Sequence, residues 1–168
     1  MSEDFVSVYA PRLGHLLVDR GWMFACAESC TGGLLSAAMT DTPGSSQWFD
    51  RGFVTYSNQA KIELLGVNAD TLDRFGAVSE ETAMEMAAGV LSASTPSQLA
   101  ISTTGIAGPG GGTPGKPVGM VCFGFAQRAA QGVVTRAMTK VFDGDRAQIR
   151  SASVAFALST AIEFIEPR

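Results

Sequence analysis

Two turns rich in glycine and hydroxyl side chains each follow a short apolar run, and they constrain the fold more than any other feature. The first covers residues 27–33, with the sequence AESCTGG, after the apolar residues 22–26. The second, residues 104–112, has the sequence TGIAGPGGG and follows residues 99–102. Such a turn presents several backbone N–H donors to an anion, and glycine leaves the main chain open to close approach. The turns therefore predict a site for a small phosphorylated or carboxylated molecule.

Helical and extended patterns alternate along the chain and end in a hairpin and a helix. Strands that alternate with helices pair in parallel and are covered on both faces, whereas a hairpin adds antiparallel strands. The pattern therefore predicts an α/β fold, a three-layer α/β/α sandwich with a mixed β-sheet, formed by a single domain over residues 1–168. It does not define the strand order. The predicted elements are a helix over 4–20, a strand over 22–27, a helix from Thr31, a strand over 51–57, a helix over 58–65, a helix capped by Ser79, a strand over 99–103, a hairpin of 118–128 with 133–142, and a helix from about Asp143.

Composition argues against several classes of partner. Charged residues make up 17% of the chain, the net charge is −4 and the basic residues are scattered, so we expect no nucleic-acid partner. No apolar stretch approaches the ~20 residues of a membrane-spanning helix, so we expect no membrane partner. Three cysteines do not form a disulfide framework, and a cytoplasmic location is expected. Homo-oligomer formation stays open.

The glycine-rich segment 110–116 fits two nucleotide-binding patterns by letter but not by mechanism. A P-loop needs a serine or threonine after its lysine to reach Mg²⁺, and Pro117 stands after Lys116. A Rossmann turn opens a helix, whereas residues 116–118 lead into a strand. We therefore interpret the segment as a loop that borders a site.

The scarcity of histidine limits the catalytic chemistry. His15 is the only histidine and lies in an amphipathic helix, which argues against a Ser-His-Asp triad. Cys26 and Cys30 have no further pair to complete a metal site, and we expect no metal and no cofactor. A hydrolytic base would therefore be lysine, tyrosine or a carboxylate. Lys61 stands where a strand leads into a helix, a common place for ligand sites, although a solvated helix lysine fits the same pattern.

A set of short strings through most of the chain resembles the CinA C-terminal domain family. The strings occur in the family's order, from about Ala27 to Arg150. They are residues 27–33 (AESCTGG), 43–46 (PGSS), 54–58 (VTYSN), 60–61 (AK), 76–80 (GAVSE), 104–109 (TGIAGP), 116–119 (KPVG) and 144–146 (GDR).

This resemblance implies a three-layer α/β/α domain that hydrolyses the carboxamide of nicotinamide mononucleotide to nicotinate mononucleotide and ammonia, within pyridine-nucleotide recycling. The chain begins close to the motifs and so resembles the stand-alone form of the family. The family's catalytic residues correspond to Ser46, Tyr56 and Lys61. In this hypothesis Ser46 attacks the carboxamide carbon, neutral Lys61 accepts the serine proton, and Tyr56 orients Lys61 or relays the proton. The residues alone leave the nucleophile open among Ser29, Ser45 and Ser46.

The phosphate and ribose of this substrate are expected to contact the two turns, with Arg146 as a charged clamp on the phosphate. A surface ion pair of Arg146 with Asp143 or Asp145 is the alternative. The main chain around Ser45 and Ser46 is the expected source of N–H donors to the oxyanion. The expected substrate-binding residues are Ser29, Thr31, Gly32, Gly33, Ser45, Thr104, Gly105 and Arg146.

Other functions fit the same residues. The two turns could form a non-catalytic nucleotide-binding module that acts as a sensor or partner domain, with Lys61 merely contacting phosphate. A different amidase or a phosphate-ester hydrolase on the same scaffold is a further alternative, although no metal-ligand cluster supports a phosphatase. Release of ammonia from nicotinamide mononucleotide separates an amidohydrolase from a binding module.

Overall fold

A computed structural model describes residues 2–167 of the 168-residue chain, which form six α-helices, one 3₁₀ turn and five β-strands. Within these residues, every helix is too short or too polar to span a bilayer. The elements are α1 (Ser2–Arg20), β1 (Met23–Glu28), α2 (Leu34–Thr40), the 3₁₀ turn (Ser45–Gln47), β2 (Phe49–Val54), α3 (Asn58–Leu65), α4 (Ala69–Phe75), α5 (Glu80–Ala93), β3 (Ser97–Gly105), β4 (Met120–Ala129), β5 (Gly132–Val141) and α6 (Arg146–Ile165).

The strands form one mixed sheet in the order β2-β1-β3-β4-β5. β1 pairs in parallel with β2 and β3, whereas β4 pairs antiparallel with β3 and β5. The predicted mixed sheet is therefore confirmed. Because β1, β2 and β3 run in the same direction, the turns that follow them lie together at the carboxyl ends of these strands. Ligand sites form at this place in open α/β sheets.

Apolar side chains cover both faces of the sheet and divide into two cores. Helices α1, α2 and α6 pack on one face, where they bury Leu13, Leu35 and Ile149. Helices α3, α4 and α5 cover the other face and bury side chains such as Leu72 and Met86. The sheet lies between two layers of helices, which confirms the predicted three-layer sandwich.

Helix α3, which carries Lys61, is held tightly at both ends. At its start, the Ser57 hydroxyl accepts a hydrogen bond from the Ala60 N–H and caps the helix. At its end, the carbonyl oxygen of Leu65 approaches α5 so closely that a Cβ added at Gly89 would stand 2.0 Å from it. These contacts fix the position from which the Lys61 side chain extends.

Two boundaries next to the site differ from the sequence prediction. β2 ends at Val54 rather than at Ser57, because the Thr55 carbonyl turns to the Lys61 amine. α2 begins at Leu34 rather than at Thr31, because Gly32 and Gly33 adopt left-handed conformations with φ of 57° and 112°. In both places the chain leaves regular structure to form the site.

Helix α4 lies in a segment for which the sequence analysis predicted no element. Its residues show no helical period of apolar side chains, since Leu72 is the one buried residue of its seven. Local polar contacts define it instead: the Asn68 side chain accepts from the Asp70 N–H at the start, and Gly76 ends the helix. The remaining helices and the hairpin occur within a few residues of their predicted places.

Candidate active site

Polar side chains converge in a cavity of about 270 Å³ at the carboxyl ends of β1, β2 and β3. Ser29 and Cys30 reach it from the turn after β1, Lys61 from α3, and Arg146 from the start of α6. A larger groove of about 420 Å³ lies between α1, α2 and α6, but its lining is mostly apolar. The smaller cavity is therefore the candidate active site.

Lys61 is the buried cation of this cavity, with 1% of its surface exposed. Its Nζ atom lies 2.8 Å from the Thr55 carbonyl oxygen, 3.4 Å from the Tyr56 carbonyl oxygen and 3.1 Å from Ser29 Oγ. Among the described residues, no carboxylate forms an ion pair with it. Burial accordingly lowers the pKa of the Lys61 amine from its ordinary value.

The three neighbours of Lys61 Nζ determine what a neutral amine would do there. A neutral amine has two N–H donors and one lone pair. The carbonyl oxygens of Thr55 and Tyr56 can only accept, so they take the two N–H groups. With its N–H groups on these two carbonyls, the lone pair of a neutral amine faces the Ser29 hydroxyl, which also lies 3.4 Å from the Tyr56 carbonyl oxygen. This is the arrangement of a general base and a nucleophile.

Glu28, at the end of β1, holds the turn that carries Ser29. Its carboxylate is fully buried and accepts hydrogen bonds from the Thr31 hydroxyl at 2.7 Å, the Leu35 N–H at 2.7 Å, and the Ser36 N–H and hydroxyl at 3.0 and 2.7 Å. These donors come from the turn and the first residues of α2. Sequence analysis missed this role; the signal was an acidic residue that ends a buried strand, just before a turn of hydroxyl residues and glycine.

Arg150 also holds this turn. From α6, its guanidinium donates to the carbonyl oxygens of Cys30 and Thr31 at 3.0 and 3.2 Å. Glu28 thus accepts hydrogen bonds from the turn, and Arg150 donates to carbonyl oxygens of the same turn, next to Ser29. Arg150 was also missed, because a single arginine one helical turn after Arg146 carries no distinctive pattern.

Arg146 and Tyr56 are paired at the mouth of the cavity. The Arg146 guanidinium donates to the Tyr56 hydroxyl at 3.0 Å and to the Gly108 carbonyl at 2.9 Å. The alternative surface ion pair is not formed within residues 2–167, where Asp145 instead caps α6 through Gln148. Both side chains are exposed, so an incoming ligand can reach them.

The structure does not bring Ser46 to Lys61. Ser46 lies in the 3₁₀ turn before β2, and it is exposed. Because β2 runs toward the cavity, its first residue stands roughly 17 Å from the cavity edge, given about 3.3 Å per residue. Ser45 lies in the same turn, with its hydroxyl 3.5 Å from the Thr40 carbonyl. In this structure Ser46 therefore lies away from Lys61, and neither Ser45 nor Ser46 lines the cavity.

The remaining expected binding residues divide into two groups. Thr104 and Gly105 line the cavity, as do Ser29 and Arg146. Thr31, Gly32 and Gly33 are not among the residues that line it. The Thr31 hydroxyl is buried and donates to the Glu28 carboxylate, so in this structure it supports the turn.

The cysteine beside the site is not poised to react. Burial raises the pKa of the Cys30 thiol to about 12, which keeps it protonated at neutral pH. Within residues 2–167, no three His, Cys, Asp or Glu side chains are grouped as metal ligands. Ser29 is therefore the nucleophile that this cavity offers most directly.

Comparison with known proteins identifies the family. The model of the CinA C-terminal domain matches residues 7–165. The chain belongs to the CinA C-terminal domain family. The resemblance predicted from the sequence motifs is confirmed, and it extends beyond the Ala27–Arg150 segment that carried those motifs.

Several members of the CinA C-terminal domain family are close relatives. The chain is 50% identical over 167 residues to the nicotinamide-nucleotide amidohydrolase PncC of Enterobacter agglomerans, covering 99% of each chain. It is 45% identical to the protein of the same name from Escherichia coli K12, covering 95% of this chain and 94% of that one. A CinA-like protein of Chloroherpeton thalassium is 60% identical over 134 residues, which are 80% of this chain and 32% of that protein.

Solved structures of the CinA superfamily share the fold. The competence/damage inducible protein CihA of Agrobacterium tumefaciens superposes with a TM-score of 0.86 at 45% identity, covering 95% of this chain and 94% of that one. The competence or damage-inducible protein of Enterobacter asburiae gives a TM-score of 0.90 at 36% identity, with 96% and 98% coverage. The predicted fold class is therefore confirmed.

We predict that Glu28→Gln destabilises the protein. Both carboxylate oxygens of Glu28 meet only donors, so the amide NH₂ of glutamine would face N–H or O–H groups. A buried unsatisfied donor costs about 1–3 kcal/mol of the free energy of unfolding, which urea denaturation measures. Glu63→Gln, at an exposed position of α3, is the control and should leave the free energy unchanged. Equal stability of the two variants would contradict the structural role of Glu28.

Proposed function

We propose that this protein hydrolyses the carboxamide of nicotinamide mononucleotide to nicotinate mononucleotide and ammonia, with Ser29 as nucleophile and Lys61 as its base. The observation that carries this proposal is the buried Lys61 amine 3.1 Å from Ser29 Oγ in a cavity. The expectation of an amidohydrolase agrees with the names of the Enterobacter agglomerans and Escherichia coli relatives. The proposed role is the recycling of pyridine nucleotides.

The proposed reaction has two stages, and Lys61 moves the proton in each. Lys61 Nζ takes the proton from Ser29 Oγ as the oxygen attacks the carboxamide carbon. The Lys61 ammonium returns that proton to the leaving nitrogen, the C–N bond breaks, and ammonia departs from an acyl-serine ester. Water then gives a proton to Lys61 and attacks the ester carbon. The C–O bond to Ser29 breaks, the serine oxygen regains the proton, and the acid is released.

This mechanism transfers the proposed nucleophile from Ser46 to Ser29. A general base must lie within hydrogen-bond reach of the proton that it takes, about 2.6–3.2 Å between heavy atoms or one water away. The Ser29 oxygen meets this distance at 3.1 Å, whereas Ser46 lies in the turn before β2, at the other end of that strand from Lys61. We also propose that the oxyanion is stabilised by backbone N–H groups of the turn after Ser29 rather than by those around Ser46.

The charge of the cavity fits an anionic substrate. Lys61 and Arg146 are its cationic side chains, and no Asp or Glu is among the described residues that line it. We assign the phosphate to Arg146, whose guanidinium the Tyr56 hydroxyl orients. Tyr56 thus has two roles in the proposal: its carbonyl holds Lys61, and its hydroxyl holds Arg146. The second role replaces the proton relay expected from the sequence.

We predict that Ser29→Ala and Lys61→Met each lower kcat for ammonia release from nicotinamide mononucleotide by at least about 10²–10⁴-fold. Methionine matches the length of lysine without a titrating group, so the buried position stays filled. Ser46→Ala is the matched control and should keep kcat close to that of the parent protein. If Ser46→Ala abolished activity while Ser29→Ala kept it, the transfer of the nucleophile would be wrong; no ammonia release by the parent protein would favour the binding-module alternative.

Activity should fall as the pH is lowered through the pKa of Lys61. Burial lowers this pKa, so the neutral base is present at pH values below the ordinary lysine value of about 10.4. Acidification protonates Lys61, and an ammonium cannot accept the Ser29 proton. The pH profile of kcat/KM measures the effect, with nicotinamide riboside as a second substrate because it lacks the titrating phosphate. An activity that is independent of pH with the riboside, or is kept in Lys61→Arg, would exclude Lys61 as the base.

We predict that Arg146→Ala raises KM for nicotinamide mononucleotide with a smaller effect on kcat. The lost contact is a charged hydrogen bond to the phosphate, which is made equally in the ground and transition states. Nicotinamide riboside has no phosphate, so its kcat/KM should be the same in the variant and the parent protein. Equal losses for both substrates would show that Arg146 acts on the site as a whole rather than on the phosphate.

A further inference from the structure

The carboxyl end of β3 extends past the end of β1, along the wall of the cavity. The pairing of these two strands stops at Glu28↔Thr103, whereas β3 continues to Gly105. Gly105 lines the cavity and pairs with Val121 of β4. Within residues 2–167, the last part of β3 therefore has β4 on one side and no strand on the other.

Hydrogen bonds of two nearby residues show which way the backbone of Gly105 faces. The Thr103 carbonyl oxygen accepts from the Ser29 N–H at 3.0 Å, on the β1 side of the strand. The Ile106 N–H donates to the Met120 carbonyl oxygen at 2.9 Å, on the β4 side. Successive residues of a strand direct their N–H and C=O groups to opposite sides. The N–H of Gly105 therefore faces the β1 side, toward Ser29.

The turn after β1 leaves this N–H without an acceptor. In a parallel pair, a residue that donates to one carbonyl of its neighbour accepts from the N–H two residues further along that neighbour. The Ser29 carbonyl oxygen would thus accept from Gly105, but it accepts from the Gly32 N–H of its own turn at 3.1 Å. Among the residues that the structure describes, no acceptor takes the Gly105 N–H. A backbone donor without a partner, at the wall of a cavity, is available to a ligand.

The backbone at Gly105 is held in place from the β4 side. A Cβ added at Gly105 would lie 2.8 Å from the Met120 carbonyl oxygen and 2.9 Å from Val121 Cα, so the strand lies too close to β4 for a side chain. The Gly119 N–H donates to the Ile106 carbonyl oxygen at 2.8 Å and fixes the next residue. A donor held in this way needs no rearrangement when charge develops on a bound molecule, and an oxyanion site requires such a donor.

We propose that the Gly105 N–H donates to the oxyanion that forms when Ser29 attacks the carboxamide, beside the N–H groups of the Ser29 turn. This inference rests on the proposed amidohydrolase function. As the bond from Ser29 Oγ to the carboxamide carbon forms, the electron pair of the C=O double bond moves to its oxygen, and Lys61 holds the serine proton. When the C–N bond breaks, the double bond forms again. The attack of water on the acyl-serine ester produces a second oxyanion, which the same donor stabilises.

Exchange of one backbone N–H for an ester oxygen tests this role. Glycolic acid in place of Gly105, introduced by nonsense suppression, removes the N–H and keeps the shape of the residue. We expect kcat for ammonia release from nicotinamide mononucleotide to fall about 10²–10³-fold, as for the loss of one oxyanion donor. The urea concentration at the midpoint of unfolding should change little, because this N–H has no partner within the described protein.

Glycolic acid in place of Gly119 is the matched control. The Gly119 N–H donates within the fold, to the Ile106 carbonyl oxygen, and Gly119 does not line the cavity. This variant should unfold at a lower urea concentration and keep kcat within about threefold of the parent value. A parent-like kcat after the exchange at Gly105, or equal losses of kcat in both variants, would overturn the role of Gly105. A parent protein that releases no ammonia would overturn the proposed function, and the role of Gly105 with it.

An aldehyde analogue of the substrate separates the oxyanion from the ground state. In this analogue a CHO group replaces the carboxamide, so Ser29 adds to the carbonyl carbon, its proton passes to Lys61, and the oxyanion persists because nothing leaves. The exchange at Gly105 should weaken binding of the aldehyde about 10²–10³-fold. In the Ser29→Ala protein, which cannot form the oxyanion, the same exchange should change the affinity less than about threefold. Equal losses of affinity with and without Ser29 would overturn the proposal.

Discussion

A lysine amine buried without a carboxylate partner is the constraint on which this site depends. Burial lowers the pKa of Lys61, and the carbonyl oxygens of Thr55 and Tyr56 accept its N–H groups. β2 ends at Val54, and the carbonyl oxygens of the next two residues contact the Lys61 amine of the helix that follows. The position at which β2 ends therefore determines which acceptors orient the Lys61 amine. If Thr55 and Tyr56 paired as strand residues, their carbonyl oxygens would be directed away from it.

The turn that carries Ser29 is held by two side chains of opposite charge. Backbone groups in a buried turn need partners, and a short turn cannot supply them all internally. Glu28 accepts from the turn and from α2, while Arg150 donates to the carbonyls of Cys30 and Thr31. Both side chains therefore support the site by positioning the turn, without contacting a substrate. Together they hold the Ser29 oxygen within reach of an amine that comes from a different helix.

Local patterns in the sequence predicted most of the elements but not their arrangement. Helical spacing, the Ser79 cap and the hairpin are encoded over a few residues each, and all appear in the structure. Helix α4 was missed because its one buried residue gives no period. The order β2-β1-β3-β4-β5 arises from contacts between distant segments, which no local pattern contains.

The residues of the site likewise divide into those that sequence motifs identify and those that only the fold brings together. The sequence motifs identified residues that the cavity brings together, including Lys61, Tyr56 and Arg146. Ser46 is nearer to Lys61 along the chain than Ser29 is, yet a parallel strand separates the turn before it from the turn after it by its full length. Ser29 and Lys61 meet because β1 and β2 pair in parallel and end side by side, with Glu28 opposite Val54. Parallel pairing thus places the ends of β1, β2 and β3 together beside the cavity, whereas the antiparallel strands β4 and β5 extend the sheet sideways from β3.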